Sequence, residues 1–438
     1  MLLGRKDFLV RTGLLVGAGA LAAAGCRDEE QVDAASQLGT GTWGGVRAAF
    51  SLDPELSHFA AFLLASHPKP VQDAIAAHRR RLDESAPVYL HENELRLEAE
   101  TLQSAAAYLG AGAEDVALTD STTMGLGLLY ATLQLAEGEE IVTTEHDFYS
   151  THESLRLRAE RTGGSVRRIR LYEDLATVSD DEIVDAVRRA LTPRTRAVAL
   201  TWVHSSTGLK LPLRAIADAI AEEDERRGAE PWTLLCVDAV HGLGVEDEPV
   251  TELGCDFLVS GCHKWLFGPR GTGIVWGRPE AWARVSPTIP SFTDPESFGA
   301  WVEGGGSGAT GAAAFTPGGF HAFEHRWALA QAFDFQRSVE KRRVRERTHA
   351  LARRLKAGLA DLPGIVLHTP MTEALSAGLV CFEVGSRSPE EIVESLQHGH
   401  GIVASVTPYA SRYVRFGTSI VNSEDEVDAA LAALRELA

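Results

Sequence analysis

The stretch Asp256-Phe-Leu-Val-Ser-Gly-Cys-His-Lys264-Trp-Leu-Phe-Gly-Pro-Arg-Gly-Thr-Gly-Ile-Val-Trp276 decides how the rest of the chain is read. It opens with an apolar run at 257–259 and closes with another at 274–276, each of a length and character that fit a buried strand. Between them stand Ser260, Gly261, Cys262, His263 and Lys264, then a turn rich in glycine and proline (Gly268, Pro269, Gly271, Gly273). A lysine placed where a buried strand gives out into a loop is costly to desolvate, and a desolvated lysine drifts toward the neutral amine. The neutral amine is the form that condenses with an aldehyde to give a Schiff base. On this stretch alone, a surface lysine that follows a strand reads equally well.

A second stretch shifts the balance. Thr233-Leu-Leu-Cys-Val-Asp238-Ala-Val-His241-Gly-Leu-Gly244 is again an apolar strand, and it ends in an acid. The common protein-bound aldehyde is pyridoxal 5′-phosphate (PLP). An aspartate at a strand end can hold the pyridine nitrogen of that cofactor protonated, which makes its ring an electron sink. His241, three residues on, is within reach of the ring's phenolic oxygen. The two strand ends are expected side by side at the carboxyl edge of one sheet, where open α/β sheets bind ligands.

Strand-Asp-x-x-His followed by Ser-Gly-x-His-Lys and Gly-Pro-x-Gly-x-Gly resembles the aminotransferase class V group of PLP enzymes, which includes cysteine desulfurases and isopenicillin N epimerase-like proteins. The resemblance runs from about residue 51 to the C-terminus. It implies an α/β protein of PLP-dependent fold type I. A large domain with a mostly parallel, seven-stranded-type sheet is joined to a smaller C-terminal α/β domain, and the site is completed in a homodimer. It also carries residues over. Lys264 becomes the Schiff-base and catalytic residue, Asp238 the partner of the ring nitrogen, and Ser260, His241 and His263 further cofactor contacts. The strand at 116–119 runs into Asp120-Ser121-Thr122-Thr123, which opens a helix. Small and hydroxyl residues at a helix N-terminus make an anion site, and the family cradles the cofactor phosphate there, with Thr122 and Thr123. His146, in Glu145-His146-Asp147, takes the position of the ring-stacking residue. Ser205 takes that of a small polar contact. Trp202 stands where many relatives have histidine. Arg415, in Ser411-Arg-Tyr-Val-Arg415-Phe-Gly, matches the arginine that clamps the substrate carboxylate, a task suited to a planar guanidinium.

Composition excludes some classes. Net charge is -19 over 438 residues, which argues against nucleic acid or an anionic membrane as a general partner. With 45% hydrophobic and 24% charged residues, the chain has ample material for a core. None of the five cysteines (Cys26, Cys236, Cys255, Cys262, Cys381) lies in a CxxC pair, so no zinc ribbon or redox motif is expected, and the last four read as buried thiols. The spacing of His146 and His152 fits no zinc pattern, and no metal is expected. No Gly-x-Gly-x-x-Gly opens a helix after the first strand, and no Gly-x-Ser-x-Gly elbow is present.

The chain divides into four parts. Residues 1–26 read as an export signal. Arg5-Lys6 is a near twin-arginine pattern, an apolar small-residue run follows, and Leu21-Ala-Ala-Ala-Gly25-Cys26 approximates a lipoprotein cleavage box. The twin-arginine machinery exports folded proteins, so a cofactor bound in the cytoplasm would survive the crossing. The protein is expected in the periplasm or at the cell surface, either lipid-anchored at Cys26 or cleaved after Ala24. Residues 27–50 read as linker, 51–339 as the PLP-binding domain with an N-terminal arm, and 340–438 as the small domain. In the arm, His58 and Phe59 are either substrate contacts or packing residues. The Gly-rich stretch 301–311 resembles a loop that family dimers lend to the neighbouring site, with Thr310 and Thr316 as candidate phosphate donors.

These parts imply proton removal at Cα of a small amino-acid substrate, hence transamination, epimerisation or β-elimination. Cysteine desulfurases carry a nucleophilic cysteine just before the arginine strand. Residues 398–409 contain none, so persulfide chemistry is disfavoured. The alternative from another class is a non-catalytic PLP-fold binding or scaffold protein.

Overall fold

The computed structural model describes residues 39–306 and 311–438. The signal region, Cys26 and Thr310 lie outside the described residues. The strands, in chain order, are β1 Ser57–His58, β2 Val116–Thr119, β3 Glu140–Thr144, β4 Ser165–Ile169, β5 Thr195–Thr201, β6 Leu234–Asp238, β7 Phe257–Gly261, β8 Gly273–Gly277, β9 Ile365–Leu367, β10 Leu379–Val384, β11 Ile402–Val403, β12 Ser405–Val406 and β13 Val414–Gly417.

Seven of them form one sheet in the order β2-β8-β7-β6-β5-β3-β4. Its pairs from β7 through β4 are parallel, while β8 runs antiparallel to both neighbours, β7 and β2. Successive side chains of a strand point to opposite faces. Leu235, Val237 and Leu258 therefore enter one core with Trp202 and Phe333. Leu234, Cys236, Phe257 and Val259 enter the other with Leu126 and Trp282. Burial on both faces is why β6 and β7 read as unbroken apolar runs rather than alternating ones. The mostly parallel sheet expected from the sequence is present.

This topology gathers the carboxyl ends of β2, β3, β5, β6 and β7 at one edge, at Thr119, Thr144, Thr201, Asp238 and Gly261. Because β8 runs the other way, its first residue joins them. Gly273 pairs with Thr119 on one side and Gly261 on the other.

The C-terminal part is a four-stranded antiparallel sheet, β12-β13-β10-β9. Its core includes Leu351 and Leu355, Ile392 and Leu396, and Val427 and Leu434, one pair from each of the helices Lys341–Ala360, Pro389–His400 and Glu424–Leu437. Residues 402–406 form two short strands. β12 joins this sheet, while β11 pairs with β1 of the N-terminal arm. Phe59 reinforces that junction. Its N–H donates to the Val403 carbonyl, its carbonyl accepts from the Gly417 N–H, and its ring stacks on Phe416 at 4.9 Å. Phe59 is a packing residue.

One local expectation changes. The linker reading of 27–50 fails over its last residues. Trp43–Ala48 is a helix whose N-cap Thr42 accepts from the Gly45 N–H, and Val46 and Phe50 are buried with Phe267 and Phe335. The helix Lys69–Leu109 has non-helical backbone at Ser85, just before Pro87. The helices Phe323–Val339 and Lys341–Ala360 meet at Glu340, which has φ 74°.

One glycine fixes the floor under the lysine loop. Gly244 has φ +89°, and a Cβ there would lie 2.6 Å from the Leu266 nitrogen and the Trp265 carbonyl carbon. Gly244→Ala combines a left-handed backbone with a backbone clash, and is expected to cost about 2 kcal/mol. A urea unfolding midpoint unchanged from wild type would refute this.

Candidate active site

β6 and β7 pair through Asp238 and Val259, so the acid that ends β6 stands beside the strand that delivers Lys264. Burial drives the Lys264 amine down to about 8. The Asp238 charge pulls it back up and Arg415 pushes it down. Burial drives the Asp238 carboxyl up to about 6, against a hydrogen bond from the Val240 N–H and the charge of Lys264. In both groups desolvation outweighs attraction, and each is moved toward its neutral form. Asp238 Oδ1 accepts from the Val240 N–H at 3.0 Å.

His241 is held by a partner the sequence did not announce. The Trp265 Nε1–H donates to His241 Nδ1 at 3.0 Å. Burial, then the charges of Lys264 and Arg415, push the imidazole well below its ordinary range. A neutral ring that accepts at Nδ1 carries its proton on Nε2, so His241 has one N–H left to donate.

Arg415 is clamped from three sides. Its Nε donates to Ser405 Oγ at 3.1 Å and its Nη1 to the Ser205 carbonyl at 2.9 Å. Its guanidinium lies 4.6 Å from the centre of the Phe62 ring. The fork is buried and pre-oriented, with N–H groups to spare for a carboxylate. Ser205 serves both neighbours, because its Oγ also lies 2.6 Å from the Tyr409 hydroxyl.

His146 follows β3 and is buried. Burial, then the adjacent His204, lowers it to about 4, so it is neutral at physiological pH. Tyr172 stacks on the ring at 4.6 Å and 13°, and His204 tilts against it at 5.5 Å. His146 Nε2 and both nitrogens of His204 are buried without a hydrogen-bond partner. The next residue, Asp147, explains the position of His146. Asp147 Oδ2 accepts from the Thr143 hydroxyl and from both the N–H and hydroxyl of Thr144, while Oδ1 accepts from the Thr201 N–H at 2.7 Å. One carboxylate thus ties the end of β3 to the end of β5.

At the other side of the edge, the helix Thr122–Thr132 starts on Ser121, whose Oγ accepts from the Met124 N–H. Thr122 Oγ1 accepts from the Gly261 N–H at 2.7 Å and locks the helix start to the end of β7, leaving its own hydrogen to donate. Thr123 is exposed at the helix start, and His263 is half-buried beside Gly261. A Cβ on Gly273 would come within 2.8 Å of Thr119 Oγ1, and one on Gly261 within 3.0 Å of Thr122 Oγ1.

The structure therefore brings Lys264, Asp238, His241, His263, Thr122, Thr123, Ser205 and Arg415 to the strand ends, with His146 just past β3. Ser260, in β7 beside Gly261, is fully buried and its hydroxyl donates to the Gly261 carbonyl. One candidate is placed differently. Thr316 packs against β2 of its own chain. Its hydroxyl accepts from the Leu118 N–H and donates to the Ala312 carbonyl, so it is not presented as a donor to another subunit. Sequence reasoning missed Asp147, Trp265, Phe62, Ser405 and Tyr409. The one available signal was Asp147, an acid just past a strand that ends in two threonines. Trp202 does not replace the expected histidine contact; its ring fills the space beside Gly242. A cavity of about 1010 Å³, lined in part by Trp232, Asp256 and Arg278, opens at the amino ends of the strands, away from this chemistry.

The aminotransferase class-V family profile matches residues 85–430. The chain belongs to the aminotransferase class-V family. Isopenicillin N epimerase of Amycolatopsis lactamdurans is 29% identical over 414 residues, covering 90% of this chain and 98% of that protein. Cysteine desulfurase of Klebsiella pneumoniae (strain 342) is 27% identical over 370 residues, covering 79% and 83%. The relatives thus include desulfurases, and they give no support for setting that activity aside. Among solved structures, a lysine-to-alanine mutant of C-DES with glycine covalently linked to its PLP cofactor superposes with a TM-score of 0.80 at 23% identity, over 90% of this chain and 99% of that one. Cysteine desulfurase CsdA of Escherichia coli gives 0.75 at 19%, over 90% and 98%.

PLP is the cofactor of this class-V chain, and the residues present fit it. The desolvated Lys264 amine suits its aldehyde, the buried Asp238 carboxyl its ring nitrogen, and the Thr122 helix N-terminus its phosphate. Asp147 is the residue whose loss tests the site's assembly. Asp147→Ala leaves several buried donors unmatched and is expected to cost about 2 kcal/mol and to lower retained PLP after dialysis. Full retention and wild-type stability would contradict the stapling role.

Proposed function

We propose that this chain is a PLP-dependent enzyme that moves a proton at the Cα of a small α-amino acid. The observation that carries the reading is the joint placement of a desolvated Lys264, Asp238 and a pre-oriented Arg415 at one sheet edge. When bound, PLP supplies a sink for the electron pair left at Cα. Lys264 would hold the cofactor's aldehyde, and its near-neutral amine would take or return the α-proton. Asp238 would keep the ring nitrogen charged. His241 would donate through Nε2 to the ring oxygen, Ser205 would meet the ring substituents, and His146 would stack on the ring. Thr122, Thr123 and His263 would hold the phosphate. Arg415 binds the substrate carboxylate and so fixes which Cα bond lies across the ring.

The same site serves epimerisation, transamination or β-elimination. Against a desulfurase that relies on a cysteine nucleophile, all four described cysteines are buried. Burial pushes the Cys255 and Cys381 thiols up to about 12. A buried, protonated thiol is a poor nucleophile. No observation favours a non-catalytic binding module.

The working unit in this reading is a homodimer. Phe320, Trp301 and Phe292 are 83%, 70% and 65% exposed, a cost that a second copy would relieve. Export through the twin-arginine route, with an anchor at Cys26, rests on residues 1–26 alone.

The purified protein is expected to be yellow, and borohydride should remove the visible band and fix the cofactor on Lys264. Lys264→Ala should lack that lysine-linked band. A colourless protein that ignores added PLP would sink the reading. Arg415→Ala should raise the KM for an amino acid about 30-fold through the loss of a charge-assisted bond, with little effect on its methyl ester. Equal losses on both would show that Arg415 acts elsewhere.

A further inference from the structure

Tyr409 is unassigned by the family resemblance, yet it belongs to the site. It lies in the loop between β12 and β13, the segment in which a nucleophilic cysteine was sought and not found. Its hydroxyl is 2.6 Å from Ser205 Oγ, and Ser205 is the residue whose carbonyl holds Arg415. The phenol and the carboxylate-binding guanidinium are thus keyed to one residue. The Tyr409 ring also meets Phe148 edge-on at 5.9 Å and 67°. Phe148 is two residues from His146, so Tyr409 borders the segment that carries the ring-stacking histidine, whereas Lys264 arrives from β7. Asp238 and Arg415 act electrostatically on both Lys264 and Tyr409. In the reading above those two shared neighbours meet the ring nitrogen and the substrate carboxylate, so Lys264 and Tyr409 both border the space between them.

We propose that Tyr409 is the proton donor and acceptor for the face of Cα away from Lys264, so that the site inverts the α-carbon. The inference rests on the reading above that the site moves a proton at Cα. In one direction, the Cα–H bond breaks and its proton passes to the Lys264 nitrogen, while the electron pair stays with the carbon. The Tyr409 O–H bond then breaks, and its proton forms the new C–H bond on the opposite face. The phenolate left behind stands near the Arg415 guanidinium. It and the lysine ammonium are reset by proton exchange with water, and no oxidant or reductant is needed. Burial raises the phenol above its ordinary range, so Tyr409 holds its proton at neutral pH and is ready to give it. Ser205 is then a positioning residue that fixes the phenol.

The test compares wild type, Tyr409→Phe and Ser205→Ala in D2O with L-alanine, L-serine and L-cysteine, each at saturating PLP. NMR follows loss of the α-proton and chiral chromatography follows the D enantiomer. PLP content and thermal unfolding are read on each variant, independently of turnover. The expected result is wild-type PLP content in Tyr409→Phe, with the ratio of inversion to exchange lowered at least about 100-fold. Ser205→Ala should show a smaller drop of the same ratio. If inversion and exchange fall together in Tyr409→Phe, or if wild type exchanges without inverting, the role of Tyr409 is overturned while the Cα reading stands. If wild type neither exchanges the α-proton nor changes its visible band with any of the three, the underlying reading fails and this inference falls with it.

Discussion

The structure depends on bringing one amine and one carboxyl out of water at the same sheet edge. Lys264 and Asp238 are each forced toward neutrality by burial, and each is partly rescued by the other. Either one alone is driven further toward its neutral form, since an unpaired buried charge is destabilising. The parallel pairing of β6 with β7 makes the arrangement possible, because it sets their carboxyl ends side by side. The antiparallel β8 then returns a glycine, Gly273, to the same edge, where a side chain would collide with Thr119.

Around this pair, the positioning is done by groups that touch no reacting atom. Asp147 fastens the end of β3 to the end of β5 and so places His146. Trp265, the residue after the lysine, fixes the tautomer of His241. Ser205, Ser405 and Phe62 hold Arg415 from three separate segments of the chain. The arm that carries Phe62 is itself held by β1 pairing with β11, which lies close before the arginine strand. The setting of Arg415 and the docking of the arm therefore share one junction.

Much of this was legible in the sequence. Asp238, His241 and Lys264 are legible together, because an acid, an imidazole and a lysine set by two buried strands point to one site where a lone lysine does not. The helix start at Thr122 is legible from the hydroxyl and small residues that follow a strand. What was not legible depends on contacts distant in sequence. Phe62 gives no local sign that it will lie under Arg415, and Tyr409 gives none that it will meet Ser205. The linker reading failed at Trp43–Ala48 because a Gly- and Thr-rich composition hid Trp43 and Val46, three apart on one helical face, and Phe50 just beyond the helix, which all pack into one cluster.

The most direct test of the coupled pair is the titration of the Lys264 amine in the cofactor-free protein, followed by its rate of reaction with an acylating reagent. The account predicts a midpoint near 8 in wild type, with a lower midpoint in Asp238→Asn because the acid is what pulls the amine back up. A wild-type midpoint at the ordinary lysine value, or one unmoved by Asp238→Asn, would contradict it.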